Sequence, residues 1–379
     1  MNFPVLEEWK VTKEEFQVLK SRNKHTPVEF FNLLWDQKIW SEFEKQDTIT
    51  IRRKKSKDKP IVLIKKFFAA ILMKSVIGLI SIEDFWGSNF FSVSFENQDS
   101  FISKEGYYDV TSTLVVDYER IHTLLVGNFK SHALPGFHVC IDEIRIPARH
   151  YECEIKNYNL KKPDVWAIES KSMHDSCGYL LDFENPLEQP KRTPKEIVEK
   201  FTAWLKTTGR KHHIVLDSNF LSALEVESYE EKGFWMTAAC KGDRPSFLWN
   251  QGLAKDLAPG YTRMATKGNV TAVATKNQGI LKLASNFYSV YDDQEKYVPE
   301  KRREFMKLYD QQKGAADYFG HLVKAYYPNL KFQNWKLTML VGWFVYSATN
   351  SYILYSLQGG EQSHRSFMVE IAKHLMAAK

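Results

Sequence analysis

Apolar residues recur at helical spacing through the first third of the chain, and from about residue 131 they gather into short strand-like runs instead. "VEFFNLLWDQKIWSEFEK" (28–45) repeats aromatic residues with a helical period. "KPIVLIKKFFAAILMKSVIG" (59–78) begins behind a proline and stops at Gly78, the punctuation of a helix. Residues 1–130 are therefore expected to be mostly helical. Beyond them, "HVCIDEIRI" reads as a strand, and "DVWAIESK" with "CGYLLDFE" reads as a hairpin. A helix follows with Thr193 as N-cap, Pro194 at its first position and Glu196 completing a capping box. Ile197, Phe201 and Leu205 share one face, and Gly209 is the stop. "HHIVLDSNF" (212–220) is a strand, a helix runs to Gly233, and "FWMTAAC" is a strand again. Strand, hairpin, helix, strand, helix, strand predicts an α/β fold with a mixed sheet flanked by helices. Residues 241–280 are less regular, "VTAVAT" and "GILKLAS" are strands, and two or three helices close the chain.

One run tests this reading. "LTMLVGWFVYSATNSYILYSLQGG" (337–360) carries no charge and is long enough to span a bilayer. It also holds three serines, two threonines, an asparagine and three tyrosines, so it is read as a buried core helix, and no membrane is expected. "FFAAILMKSVIGLISI" is interrupted by Lys74 and is too short to cross. The opening "MNFPVLEEWK" lacks the pattern of a signal peptide.

Composition narrows the classes further. The 379 residues are 44% hydrophobic, enough for a large core. Net charge is +6, from 52 basic and 46 acidic residues, which permits an anionic partner without requiring one. The four cysteines, Cys140, Cys153, Cys177 and Cys240, lie far apart with no CxxC, which suggests neither a zinc knuckle nor a disulfide framework and suits a reducing compartment. "RRKKSKDK" (52–59), led by Arg52, Arg53, Lys54 and Lys55, reads as a solvated loop, a nuclear-import signal or a DNA-backbone contact. In 241–280, Lys241, Arg244, Lys255, Arg263, Lys267 and Lys276 are interleaved with Phe247, Trp249 and Tyr261. Cations for phosphates and rings for bases suit a nucleic-acid surface; an ordinary loop-rich insert has the same composition.

The chemistry begins with carboxylates at strand ends. "VCIDE" carries Asp142 and "IVLDS" carries Asp217, each after an apolar run. If the two strands are neighbours the acids converge, and like charges a few ångströms apart repel unless a cation intervenes. Hard carboxylate oxygens with few Cys or His nearby point to Mg²⁺ or Mn²⁺ rather than zinc. Capping of turns or pairing with Lys or Arg is the structural alternative. The pattern leaves the third ligand open among Asp182, Glu184, Asp310 and Asp317. Glu143, beside Asp142, points to the other face of its strand and is read as structural.

In order along the chain, a series of motifs resembles the piggyBac family of DNA transposases. "FFAAILMKSVIGLISIEDFW" is similar to the family's helix with its Tyr-Trp turn. "VCIDEIRIPARH" resembles its Asp–Glu strand, with Arg149 matching the terminal Arg. "VWAIESKSMHDSCGYLLDFE" resembles its hairpin, and "LDSNFLSALEVESYEEKGFWMTAACKGDRP" its second aspartate, helix and strand. "LYDQQKGAADYFGHLVKAYY" and "NSYILY" are similar to its two late helices. The resemblance runs from about residue 28 to the end, with Asp–Asp separations of 75 and 100 residues (142 to 217 to 317).

The resemblance implies an RNase H-like core, with Asp142, Asp217 and Asp317 as catalytic metal ligands for Mg²⁺ or Mn²⁺. Two ions held there would activate an oxygen nucleophile and stabilise the leaving oxygen. It implies cutting and rejoining of double-stranded DNA at TTAA sites, in the nucleus and as a homodimer. DNA contacts are expected from Arg149, Lys241, Arg244, Trp249, Arg263 and Lys313. The expected organisation is a helical dimerisation and DNA-binding region (1–130), the first part of the core (131–240), an insertion (241–280), and the second part with the closing helices (281–379). Gly314, Ala315 and Ala316 would let their helix approach metals or DNA, or simply pack tightly. Three features depart from the family. Gly320 stands where a further Asp is usual, Ser218 follows Asp217 where Asn is preferred, and no Cys/His-rich zinc-binding tail follows "FMVEIAKHLMAAK". The alternative is a domesticated, non-catalytic DNA-binding or chromatin protein, and a third is an RNase H-like nuclease outside any mobile element.

Overall fold

The computed structural model describes residues 16–19, 26–45, 58–79, 81–86, 101–240, 257–276, 279–289, 299–328, 330, 332 and 334–378. The first aromatic-rich stretch is not one helix but two. Helix α1 (Pro27–Leu34) ends, and Asp36 restarts the chain as the N-cap of α2 (Gln37–Glu44), its carboxylate accepting from the Ile39 N–H at 3.0 Å. Helix α3 (Pro60–Ile77) stops where expected, with Gly78 in the left-handed region at φ 76°. Helices α4 (Lys104–Thr113) and α5 (Tyr118–His132) follow, and a two-residue pair joins β1 (Gln17–Val18) to β2 (Ala133–Leu134).

The strands form one nine-stranded mixed sheet. Its elements are β3 (His138–Pro147), β4 (Lys156–Tyr158), β5 (Trp166–Asp175), β6 (Leu180–Phe183), β7 (His213–Leu216), β8 (Trp235–Ala239), β9 (Thr262–Lys267), β10 (Val270–Lys276) and β11 (Ile280–Ser285). The order is β4-β5-β3-β7-β8-β11-β10-β9, with β6 also on β5. β3, β7 and β8 run parallel at the centre, and every other pairing is antiparallel. Central parallel strands are buried on both faces, which is why "HIVL" of β7 is apolar behind its first residue and wholly buried. Between β6 and β7 lies α6 (Pro194–Lys206) with the predicted capping box, and between β7 and β8 lies α7 (Ala223–Glu231). The mixed sheet flanked by helices is the fold class expected from the sequence. β9 and β10 lie within the stretch read as an insertion, and with β11 they continue the same sheet as an antiparallel meander; residues 241–256 lie outside the described residues.

Helix α8 (Pro299–Ala325) crosses one face of the sheet. Its Phe305 and Tyr309 join Val215, Val273 and Leu283, and its Ala315 and Ala316 pack on Cys140 of β3. The small residues thus serve close helix–sheet contact. Helix α9 (Trp335–Leu357) is the uncharged run, and from Leu337 to Tyr355 all but one of its residues are buried. The core-helix reading holds: this helix is sheathed by protein, and no described helix is long and apolar enough to cross a membrane. Phe344 of α9 stacks on Phe68 of α3 at 4.4 Å, and Gly342 meets Ile146 of β3. The Asn350 side chain accepts from Leu180 N–H and donates to Leu180 C=O, both at 2.8 Å, fixing the start of β6. Helix α10 (His364–Met376) closes against α3 and α1.

Candidate active site

Successive strand residues face opposite sides, so His138, Cys140 and Asp142 share the β3 face that α8 covers. The parallel register pairs Ile141 with Leu216, and the next residues on the two strands are Asp142 and Asp217. The two acids predicted from strand ends are therefore neighbours. Asp142 is pushed up to about 6: burial is the main cause, the Asp217 charge adds to it, and the Glu143 N–H, donating to Asp142 Oδ1 at 2.8 Å, and the Lys313 charge oppose it. Asp217 goes the other way. Burial raises it, but the Lys313 charge, the Ser218 N–H and the Lys313 hydrogen bond outweigh burial and hold it below the usual carboxylate range.

Lys313 comes from α8. Its Nζ donates to Asp217 Oδ1 at 3.1 Å, and its charge also acts on Asp142. Burial lowers the lysine, the Asp217 charge and hydrogen bond more than offset this, and the net shift is upward. Asp217, Ser218, Cys240, Lys282, Tyr309, Asp310 and Lys313 line a cavity of about 500 Å³ on this side.

Asp317 sits one helical turn beyond Lys313, exposed, and lines a second cavity of about 620 Å³. Glu143, Arg149, His150, Lys162, Asp164, Gly320, His321 and Lys324 line it too. Cys140 lies between the two sets: the charges of Asp142 and Asp317 both act on its buried thiol, whose pKa burial pushes up. Asp142 and Asp217 suit a divalent cation, being two hard oxygen donors side by side of which only Asp217 is bonded by the Lys313 ammonium. Asp317 does not complete a cage, because among the described residues no three Asp, Glu, His or Cys side chains converge on one point.

The other acids left open by the pattern are elsewhere or otherwise engaged. Asp182 is buried against Lys130, and Glu184 pairs with Arg192 and Lys200. Asp310 lines the smaller cavity. Glu143 is bound by Lys171 and by Asn219, which fits its structural reading. Among the expected DNA contacts, Arg149 lines the larger cavity, Arg263 lies exposed on β9, and Lys313 is committed to Asp217. Lys241, Arg244 and Trp249, and the basic run Arg52 to Lys55, lie outside the described residues. The sequence reading missed the role of Lys313 as a partner of the acids. No local signal marked it, because Lys313 and Asp217 lie 96 residues apart in the chain.

A family model described as Transposase IS4 matches residues 26–352. In fold the chain is similar to a piggyBac transposase seen by cryo-EM in a synaptic complex with hairpin DNA. The TM-score is 0.79 at 20% sequence identity, over 96% of this chain and 82% of that one. A comparison with curated proteins finds no match.

Proposed function

The chain belongs to the transposase IS4 family, and on that premise we propose that it cuts and rejoins double-stranded DNA at TTAA sites by metal-dependent phosphoryl transfer. The observation that carries the reading is the adjacency of Asp142 and Asp217 on neighbouring parallel strands, with Asp217 held ionised. A divalent ion such as Mg²⁺ or Mn²⁺ supplies charge neutralisation at the phosphate and a more reactive attacking oxygen. The residues' part would be to hold that charge in place: Asp142 and Asp217 offer oxygens from a rigid sheet, and Asp317, on α8, lines the neighbouring cavity. Arg149 and Lys162, which line the same cavity as Asp317, suit the phosphates of a bound strand. The neighbour in fold was captured with hairpin DNA in a synaptic complex. Two copies of this chain acting on paired DNA ends in the nucleus complete the proposal.

The test is nicking of supercoiled plasmid in Mg²⁺ or Mn²⁺, with D217N as the control. Metal-dependent nicking that D217N loses supports the reading; equal behaviour of the two proteins refutes it. One observation favours the second reading, a DNA-binding protein derived from such a transposase: the ammonium of Lys313 already bonds Asp217, and Asp317 does not join the two acids in a three-ligand group. Plasmid binding without nicking is the outcome that selects it.

A further inference from the structure

Two ionised carboxylates carry two negative charges, and Lys313 returns one. Its ammonium bonds Asp217 at 3.1 Å and reaches Asp142 only through its field. Lys162 also acts on Asp217 through its charge, but Lys313 is the ammonium bonded to the pair, and it bonds one carboxylate where a divalent cation can take an oxygen from each. The lysine also has somewhere to go. Its side chain is one-third exposed and lines the smaller cavity, of about 500 Å³. Asp310 lines the same cavity and precedes Lys313 by three positions on α8, the spacing at which side chains on one helix face meet. We propose that Lys313 is an exchangeable counter-ion of the Asp142–Asp217 pair, bonded to Asp217 in the metal-free protein and displaced toward Asp310 when a divalent cation binds.

The inference rests on the reading of Asp142 and Asp217 as metal ligands, and the two fail separately. Free Mn²⁺ is titrated by electron paramagnetic resonance against the full chain, K313M, K313R and D217N, without DNA. Wild type is expected to bind Mn²⁺, and D217N to lose most of that binding. K313M no longer has to release an ammonium, so it is expected to bind on the order of tenfold tighter, the factor one charge-assisted hydrogen bond is worth. K313R places a planar fork on the carboxylates that holds them more firmly, and it is expected to bind more weakly than wild type. If K313M folds poorly, the comparison of K313R with wild type decides. Unchanged or weaker binding in K313M, or K313R equal to or tighter than wild type, overturns the counter-ion role while leaving the metal site intact. Absence of D217N-sensitive binding in wild type overturns both.

Discussion

Replacing Asp142 with Asn should stabilise the protein at neutral pH, although Asp142 is central to the proposed chemistry. The folded chain pushes this carboxyl from 3.8 to about 6. A folded pKa above the unfolded one means that the native state holds the proton more tightly. The stability this supplies is full below about pH 4 and is lost as pH rises through about 6. Above that, the folded protein carries a carboxylate in an unfavourable place. Roughly two pH units at 1.36 kcal/mol each set an upper bound of about 3 kcal/mol, and partial exposure trims it to about 1–3 kcal/mol. Asn keeps the acceptor for the Glu143 N–H and has no proton to lose. Urea unfolding of both proteins at pH 4.5, 6 and 7.5 measures the difference. D142N should gain steadily from pH 4.5 to 6 and then level off. A variant less stable at pH 7.5, or an advantage that ignores pH, would refute the argument. Saturating Mn²⁺ should reverse the ranking, since a ligand at a hundred times its Kd adds about 2.7 kcal/mol to the protein that binds it.

Three further substitutions test how the site is held. A methyl group at Gly342 would lie 2.5 Å from Ile146 Cδ1 and 2.7 Å from Cγ1, so Gly342→Ala should cost about 1–3 kcal/mol in urea unfolding, partly recovered by adding Ile146→Ala. Asn350→Leu removes both partners of the buried Leu180 backbone groups and should cost about 2–4 kcal/mol, seen as a lower melting temperature. Glu143→Gln weakens the contact with Lys171 and should cost about 1 kcal/mol while leaving Mn²⁺ binding unchanged; loss of metal binding would make Glu143 a ligand.

The parts of the fold that could be read from the chain are those decided locally. Thr193, Pro194 and Glu196 cap their helix as their spacing says, and Gly78 ends another. The strand bearing Asp142 and the strand bearing Asp217 were visible as apolar runs, but their adjacency is a long-range fact that no local pattern encodes. The split at Asp36 was hidden because the aromatic period continues across it; only the capping preference of an Asp marks the break. Strand β9 was hidden by its mixed polar composition, the normal state of an edge strand with little to bury. The metal-ligand set was legible as residue types and not as geometry. Lys313 read as one more basic group for DNA, since the sequence shows that a lysine is present and not which carboxylate it reaches.

The asymmetry between the two acids follows from where each sits along its strand. Asp142 lies inside a long strand that continues beyond it, paired with β5, so sheet and helix enclose it and burial dominates. Asp217 stands at the point where β7 ends, so its carboxyl meets the Ser218 N–H and has room for the lysine. One carboxyl is thereby pushed up and its neighbour held down, the separation that allows two like groups to play different parts in one site. The same geometry explains why the counter-charge comes from α8. Beneath the acids Cys140 and Val215 are packed against α8, and the ammonium that bonds Asp217 comes from that helix. The helix, packed closely on its alanines, delivers a long flexible side chain from the solvent edge and can withdraw it without moving the sheet. A charge that can be withdrawn at little structural cost is what a site needs if it is to stay folded without its metal and still accept one.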